Sequence, residues 1–185
     1  MNATDPITDK NPAPRSLRLV VVLAVAATAG VLDQVAKWIA AAVLVPGKPL
    51  ELIPGLLDLK LRANPHGAFG LFASLPEGLR LPILLALSVL AMFAIVTFSL
   101  RTLGWSMATS VSLGLILGGA ISNLVDRASR GEVLDFIDVH IGSRAHWPTF
   151  NLADIAITVG SFILVGTLLH TWFRRLKLDE TNGGT

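Results

Sequence analysis

Apolar positions along the chain gather into four long runs, separated by polar stretches rich in Pro and Gly. The first run starts at Leu19 and its helical pattern continues through Asp33 and Lys37 to about Val43, long enough to span a bilayer. Arg15 and Arg18 before Leu19 to Leu32 also give it the layout of a signal peptide, but the continuation past Leu32 favours a spanning helix. Leu81 to Leu100 is an uninterrupted run of spanning length, with Pro82 tolerated in a first turn that lacks N–H partners anyway. A short turn from Arg101 to Trp105 leads to a third helix, from about Trp105 to Val125, with Gly114 and Gly118 at GxxxG spacing and Gly119 beside them. The fourth begins near Asn151, runs to about Phe173, and is ended by Arg174, Arg175 and Lys177.

The connections carry less structure. Between Pro46 and Gly78, Leu57, Leu59 and Leu61 alternate with Asp58, Lys60 and Arg62. That period of two predicts a strand with one apolar face, part of a small sheet on the bilayer surface. Residues 126–150 read as a polar loop, in which the segment from Asp126 to Pro148 is long enough for a lid with Gly131 and Gly142 as hinges. Residues 1–16, with Pro6, Pro12 and Pro14, read as a flexible polar tail, 17–178 as one four-helix membrane domain, and 179–185 as a flexible C-terminal tail. The expected fold is an all-α membrane protein: four transmembrane helices with a small extramembrane β-sheet between helices one and two.

Composition supports the membrane class. Of 185 residues, 52% are hydrophobic and 15% charged, against about a quarter charged in an ordinary soluble domain. A net charge of +2 without a basic run gives no ground for nucleic-acid binding. The absence of cysteine excludes disulfides, a thiol nucleophile and a thiolate-bound zinc. Four spans place both termini on one side, and the basic residues after the fourth helix suggest the cytoplasm. Lys48, Lys60, Arg62 and Arg80 in the opposite loop leave the charge count undecided.

The candidate chemistry lies in the charges that the apolar runs do contain. A charge near the centre of a span costs at least about 2.5–3.5 kcal/mol. Asp33 and Lys37 fall late in helix one, Asn123, Asp126 and Arg127 at the end of helix three, and Asn151 and Asp154 at the start of helix four. Up-and-down threading brings these ends to one membrane face, together with Asp135, Asp138 and the segment from Asn64 to Gly70. Ion pairing of Asp33 with Lys37 and of Asp126 with Arg127 could simply hold the bundle together. Asp135 and Asp154 lack a cation one turn away, and Asp135 sits between apolar neighbours that should raise its pKa. Two such carboxylates sharing a proton are what an aspartic peptidase needs. Spacing alone does not separate this pair from Asp126 or Asp138.

At these residues the sequence resembles the bacterial lipoprotein signal peptidases, also called signal peptidase II. The resemblance covers roughly residues 18–173 and rests on five motifs in order. They are Asp33-Gln34-Val35-Ala36-Lys37, Asn64-Pro65-His66-Gly67-Ala68-Phe69-Gly70, and Gly118-Gly119-Ala120-Ile121-Ser122-Asn123-Leu124-Val125-Asp126-Arg127. Val133-Leu134-Asp135-Phe136-Ile137-Asp138 and Phe150-Asn151-Leu152-Ala153-Asp154 complete the set. The resemblance implies an aspartic endopeptidase that removes signal peptides from diacylglyceryl-modified prolipoproteins, cutting before the lipid-modified cysteine. It implies catalytic Asp135 and Asp154, and substrate-binding or dyad-holding Asp33, Lys37, Asn64, Asn123, Asp126, Arg127 and Asn151. It implies no metal and no organic cofactor. Expected partners are prolipoprotein substrates, membrane lipid and globomycin-type inhibitors, with the chain a monomer in the bacterial inner membrane. Its active site would face outward and both termini the cytoplasm.

Two positions depart from the family's pattern. His66-Gly67 stands where Gly and Ala are common, and Ser122 where Gly is common. The first alters the loop after Asn64; the second adds a hydroxyl beside Asn123. A solvated loop histidine is the simplest reading of His66. Rival classes are a small transporter or proton channel and a non-catalytic assembly factor. The first is disfavoured because no line of polar groups crosses the bundle. Neither HExxH nor GxSxG is present.

Overall fold

The structure, a computed structural model, describes residues 14–65, 67, 72–101, 106–142 and 145–182. His66, Ala68, Phe69 and Gly70 of the second motif, residues 102–105 of the expected turn, and most of the expected tails lie outside these residues.

Among the described residues four helices form: α1 (Arg15–Val43), α2 (Glu77–Arg101), α3 (Met107–Arg130) and α4 (Leu152–Asn182). Each is long and apolar enough to cross a membrane. The outside of the bundle is apolar as a bilayer requires: Phe93 and Phe162 leave 66% and 76% of their surface uncovered. Helix α3 is central, packing against α1, α4 and α2. At its start the Ser106 hydroxyl accepts from the Thr109 N–H at 3.2 Å, an ordinary N-cap. At its end Gly131 adopts φ +80° and donates its N–H to Arg127 O at 3.0 Å, a left-handed cap.

The helices α1 and α3 approach through glycine. A Cβ on Gly118 would sit 2.4 Å from Ala26 O, and one on Gly114 would sit 2.8 Å from Val22 O. On the other side of α3, a Cβ on Gly119 would lie 2.5 Å from Ala153 O of α4. Between spanning helices the lipid is as apolar as the side chains, so such close backbone contact is what dispersion rewards. Val22, Ala26, Leu113 and Leu117 fill the seam.

A four-stranded antiparallel sheet lies at the end where α1 and α3 finish and α2 and α4 start. Its strands are β1 (Leu50–Ile53), β2 (Leu57–Asn64), β3 (Val133–Ile141) and β4 (Ala145–His146), in that spatial order. The sheet therefore does not belong only between helices one and two. The stretch 126–150, expected as a polar loop, supplies the last turn of α3 and half of the strands. Strand β3 escaped the alternation rule because its buried residues include Asp135, Asp138 and His140. Polar residues at buried positions do not register as hydrophobic alternation. On the apolar face, Leu59, Leu61 and Ile137 pack with Ala40, Leu44 and Phe136, which fixes the sheet onto the end of α1.

The glycine seam yields a direct test. Gly118→Ala should destabilise the detergent-solubilised protein by about 1–3 kcal/mol through overpacking. Gly166→Ala, where an added Cβ meets nothing within 4 Å, should be neutral or slightly stabilising. Equal melting temperatures for the two variants would refute the seam.

Candidate active site

Site geometry starts with how α4 begins. Asn151 Oδ1 accepts from the Asp154 N–H at 2.9 Å, and Asp154 Oδ2 accepts from the Asn151 N–H at 3.2 Å. This reciprocal pair is a capping box. It satisfies donors that would otherwise be orphaned at a buried helix end. It also fixes the Asp154 carboxylate relative to Asn151. A third donor of that end, the Ala153 N–H, is taken by Asp33 Oδ1 from α1 at 2.9 Å.

Beneath this lies a layer that is buried apart from Gln34. Lys37 is completely buried. Its ammonium meets Asp33 Oδ2 at 2.7 Å, Asp126 Oδ2 at 2.8 Å and Asn123 Oδ1 at 3.0 Å. Three N–H donors thus find three acceptors, which is the full capacity of the group. Ser122 Oγ donates to Asp33 Oδ2 at 2.6 Å. Gln34 Nε2 lies within hydrogen-bond distance of Ser122 O, Ser122 Oγ and Asp126 Oδ1, at 3.1, 2.9 and 3.0 Å. Asp126 Oδ2 also accepts from the Leu134 N–H at 3.2 Å, which ties α3 to the start of β3.

Above it lies the layer that faces open space. Asp135 on β3 accepts from Asn64 Nδ2 at 2.8 Å and from Asn151 Nδ2 at 2.7 Å. Asp154 Oδ1 accepts from Asn123 Nδ2 at 3.0 Å. Asn151 Nδ2 also reaches Asn123 Oδ1 at 3.3 Å, so the two carboxylates are linked through a pair of amides. A cavity of about 830 Å³ opens over them. Asn64, Asn123, Arg127, Asp135 and Asp154 line its polar end, and Leu84, Leu87, Ala91, Ile95, Ile116 and Ile157 line the part that runs between the helices. Burial pushes the Asp135 carboxyl up to about 7, and the negative charge of Asp154 adds to it. The amides of Asn64 and Asn151 oppose the shift by stabilising the ionised form.

All nine residues picked from the sequence thus converge at one end of the bundle, in two groups. Asn64, Asn123, Arg127, Asp135 and Asp154 face the cavity. Asp33, Lys37, Asp126 and Asn151 are fully buried and are absent from its lining. The expected partnership of Asp126 with Arg127 does not form: Asp126 pairs with Lys37 instead. On a helix, adjacent residues point about 100° apart, so neighbours in sequence are poor ion-pair partners. Arg127 donates from Nη1 to Asn123 O at 3.4 Å, and its Nε is buried without a partner among the described residues. Of two further members, Gln34 was not singled out and Ser122 was noted only as a hydroxyl beside Asn123. The signal for Gln34 was available, because an amide inside a spanning helix needs a partner there.

Removing the shared ammonium leaves two buried carboxylates facing each other. Lys37→Met should therefore cost about 3–5 kcal/mol of stability, seen as a large drop in melting temperature or loss of folded protein. Arg127→Met, whose head group makes one long hydrogen bond here, should cost much less. Melting curves that rank the two the other way would contradict the central role of Lys37.

Comparison with known proteins bears on what such a site belongs to. Residues 25–170 match the family model described as Signal peptidase (SPase) II. The lipoprotein signal peptidase of Syntrophus aciditrophicus is 36% identical over 152 residues, 82% of this chain and 94% of that protein. The one from Aquifex aeolicus is 43% identical over 116 residues, 63% of this chain and 67% of its own length. Among solved structures, a bacterial membrane enzyme determined by the in meso method at 2.3 Å matches with a TM-score of 0.71 and 29% identity, covering 80% of this chain and 87% of that one. A second, at 1.9 Å, matches with a TM-score of 0.70 and 30% identity, covering 80% and 92%. Four apolar helices and a match over most of the chain lead to one conclusion: this multi-pass membrane protein belongs to the signal peptidase II family, the lipoprotein signal peptidases.

Proposed function

We propose that the protein is an aspartic endopeptidase that cuts diacylglyceryl-modified prolipoproteins before the lipid-modified cysteine, with Asp135 and Asp154 as its catalytic pair. The observation that carries this reading is the pair itself. Two carboxylates, each held by amide donors, open onto one cavity that is polar at the carboxylates and apolar between the helices. An acylated peptide has that same division of chemistry.

Asp135 holds the shared proton at neutral pH, as its displaced pKa favours. Asp154 is the base. It sits at the N-terminus of α4, where the helix dipole and the Asn151 N–H favour a negative charge. A water between the two loses a proton to Asp154 as its oxygen bonds to the scissile carbonyl carbon. The Asp135 proton goes to the carbonyl oxygen, which becomes a hydroxyl. Collapse of this tetrahedral species breaks the C–N bond, the leaving nitrogen takes the proton from Asp154, and the hydroxyl returns its own to Asp135. The products are a carboxyl-terminated signal peptide and the free amine of the cysteine, with the dyad restored.

The seven other residues divide by position. Asn64, Asn123 and Arg127 face the cavity and suit hydrogen bonding to the extended peptide. Asp33, Lys37, Asp126 and Asn151 act through the residues they hold. Seating of the lipid between α2 and the α3–α4 pair places the scissile bond at the dyad and reduces the entropy cost of reaching that geometry. The site lies at the extracytoplasmic face, both termini are cytoplasmic, and the enzyme works as a monomer without metal or cofactor.

A gel-shift cleavage assay with purified protein tests this, using diacylglyceryl-modified prolipoprotein and its unmodified precursor, with and without globomycin. Cleavage of the lipidated form alone, blocked by globomycin, is the expected result. Asp135→Asn and Asp154→Asn should each lower kcat at least about 100-fold while the protein still folds. Substantial activity in either variant would remove that residue from the pair.

The pH profile is a separate test. The folded pKa of Asp135 lies above the ordinary value of 3.8, at about 7. The shared proton is therefore held below that pH and lost as pH rises through it. Activity should fall on the alkaline side with an apparent pKa near 7, a value that belongs to the pair. Stability takes the same sign: a raised carboxyl pKa contributes most below 3.8 and its contribution fades as pH rises through about 7. A rate that keeps rising up to pH 9 would exclude Asp135 as the protonated partner.

A further inference from the structure

Away from the dyad, the sheet gathers a second set of ionisable side chains. The strands β2 and β3 are in register with Asp58 opposite Asp138, and β3 and β4 with His140 opposite His146. Strand alternation puts Asp58, Asp138 and His140 on the face turned away from the apolar one carried by Leu59 and Ile137. Asp138 and His140 are nevertheless buried, with 2% and 8% of their surface exposed. One donor atom from each of Asp58, Asp138 and His140 lies within 4.8 Å of the others.

The His140 ring explains why this is more than a polar face. Its Nδ1 lies 3.0 Å from Gly142 O, so Nδ1 carries the hydrogen and donates it to that carbonyl. The neutral ring then presents a bare lone pair at Nε2. That atom is buried, has no hydrogen-bond partner among the described residues, and lies 3.2 Å from Asp58 Oδ2. For the neutral ring this contact is repulsive, and either a proton on Nε2, which makes it an ion pair with Asp58, or a metal cation between the two atoms relieves it. A histidine whose far nitrogen is fixed by a backbone carbonyl is also how proteins orient a metal ligand. Next to it, His146 stacks on His140 at 5.0 Å and brings its Nδ1 to 3.5 Å from Asp138 Oδ2.

We propose that this face of the sheet binds one transition-metal dication of the zinc class, held by Asp58, Asp138 and His140, with the half-exposed His146 beside Asp138 turning in as a fourth ligand. Zinc bonds to nitrogen and oxygen are about 2.0–2.2 Å, so neighbouring ligand atoms on a tetrahedron lie about 3.3–3.6 Å apart. The two Asp–His separations, 3.2 and 3.5 Å, match that edge. Two imidazoles with two carboxylates suit zinc, not magnesium or calcium, which take oxygen ligands. Lys60 Nζ lies 2.7 Å from Asp138 Oδ2 and occupies part of this carboxylate's charge. Its side chain is 29% exposed, and its flexible stem lets the ammonium withdraw to solvent when a dication arrives. A bound ion would clamp β2, β3 and β4 together. Asp135 lies three residues before Asp138, and the chain runs from His146 to the α4 cap at Asn151, so the clamp would stiffen the frame around the cavity. The site is independent of the peptidase mechanism.

The test uses the full chain in detergent, stripped with a chelator and then dialysed against ZnCl2, with bound metal measured by elemental analysis and stability by thermal melting. One zinc per chain and a melting temperature raised by about 4 °C or more are expected. Strong visible bands of tetrahedral Co²⁺ should appear on cobalt substitution. His140→Ala should lose all three signals. Because it also opens a buried position, His146→Ala, at a half-exposed site, serves as the second variant and should weaken zinc binding at least about tenfold. Asp135→Asn and His170→Ala should leave the zinc content unchanged. Less than stoichiometric zinc in the parent would overturn the proposal, as would full retention in both His140→Ala and His146→Ala. Zinc lost in Asp135→Asn would place the ion at the dyad instead. A melting shift from MgCl2 equal to that from ZnCl2 would show a general attraction of cations to carboxylates and would also overturn it.

Discussion

The buried ammonium of Lys37 is the contact on which the rest of the site depends. Taking an ion out of water costs several kcal/mol even after relaxation, and Lys37 has no exposure at all. The cost is offset because each of its three donors meets an oxygen from another turn or helix: Asp33, Asp126 and Asn123. Two carboxylates around one ammonium leave an excess negative charge. That excess is spread over backbone donors, the Ala153 N–H for Asp33 and the Leu134 N–H for Asp126. Those two N–H groups belong to the start of α4 and the start of β3. The same pairing that makes a buried lysine tolerable therefore fixes the two elements that carry Asp154 and Asp135.

This arrangement needs helices that sit close together, because Asp, Asn and Ser are short. The reach of Asp33 to the Ala153 N–H at 2.9 Å requires the backbones of α1, α3 and α4 to be nearly in contact. Gly118 provides this on one side of α3 and Gly119 on the other. The glycine spacing and the polar centre are thus two parts of one constraint. Without the close approach, Ser122 could not bridge to Asp33, nor Gln34 to Asp126. With longer side chains the same gap could be crossed, but each would lose more rotamer freedom on ordering.

What could be read from the sequence follows the same physics. Spans are legible because lipid demands apolar surface over a fixed length, and the four runs gave four helices. Convergence of the polar residues was legible because charges in spans are costly enough to be rare and directional. Partner choice was not. Asp126 with Arg127 looked like a pair by adjacency, whereas the helix turns Asp126 toward Lys37 and Arg127 toward the cavity. Strand β3 was hidden because its buried positions include two acids and a histidine. Their burial depends on amide and cation partners far away in the chain, Asn64, Asn151 and Lys60, which no local window contains. The capping box was half legible: Asn151 and Asp154 stand at the right spacing before an apolar run. Nothing local says that Asp33 completes the cap.

Two kinds of polar residue can be told apart at this end of the bundle by what remains of their bonding capacity. Lys37 has none left, and Asp33 accepts from Ser122, Lys37 and Ala153. Groups in that state can be rigid in a medium without water, but they have nothing to offer a ligand. The cavity-facing groups are different. Arg127 Nε has no partner among the described residues, and Asp154 is partly uncovered. Unspent capacity is costly in a low dielectric, so it persists only where something supports it from behind. Here the support is the saturated layer, which holds Asn123 between Lys37 on one side and Asp154 on the other. A peptide entering the cavity would bring carbonyls and amides that have lost their own water, and would meet donors and acceptors already aimed. That preorganisation, more than any single hydrogen bond, is what would let two ordinary carboxylates act on a peptide bond in the proposed reaction.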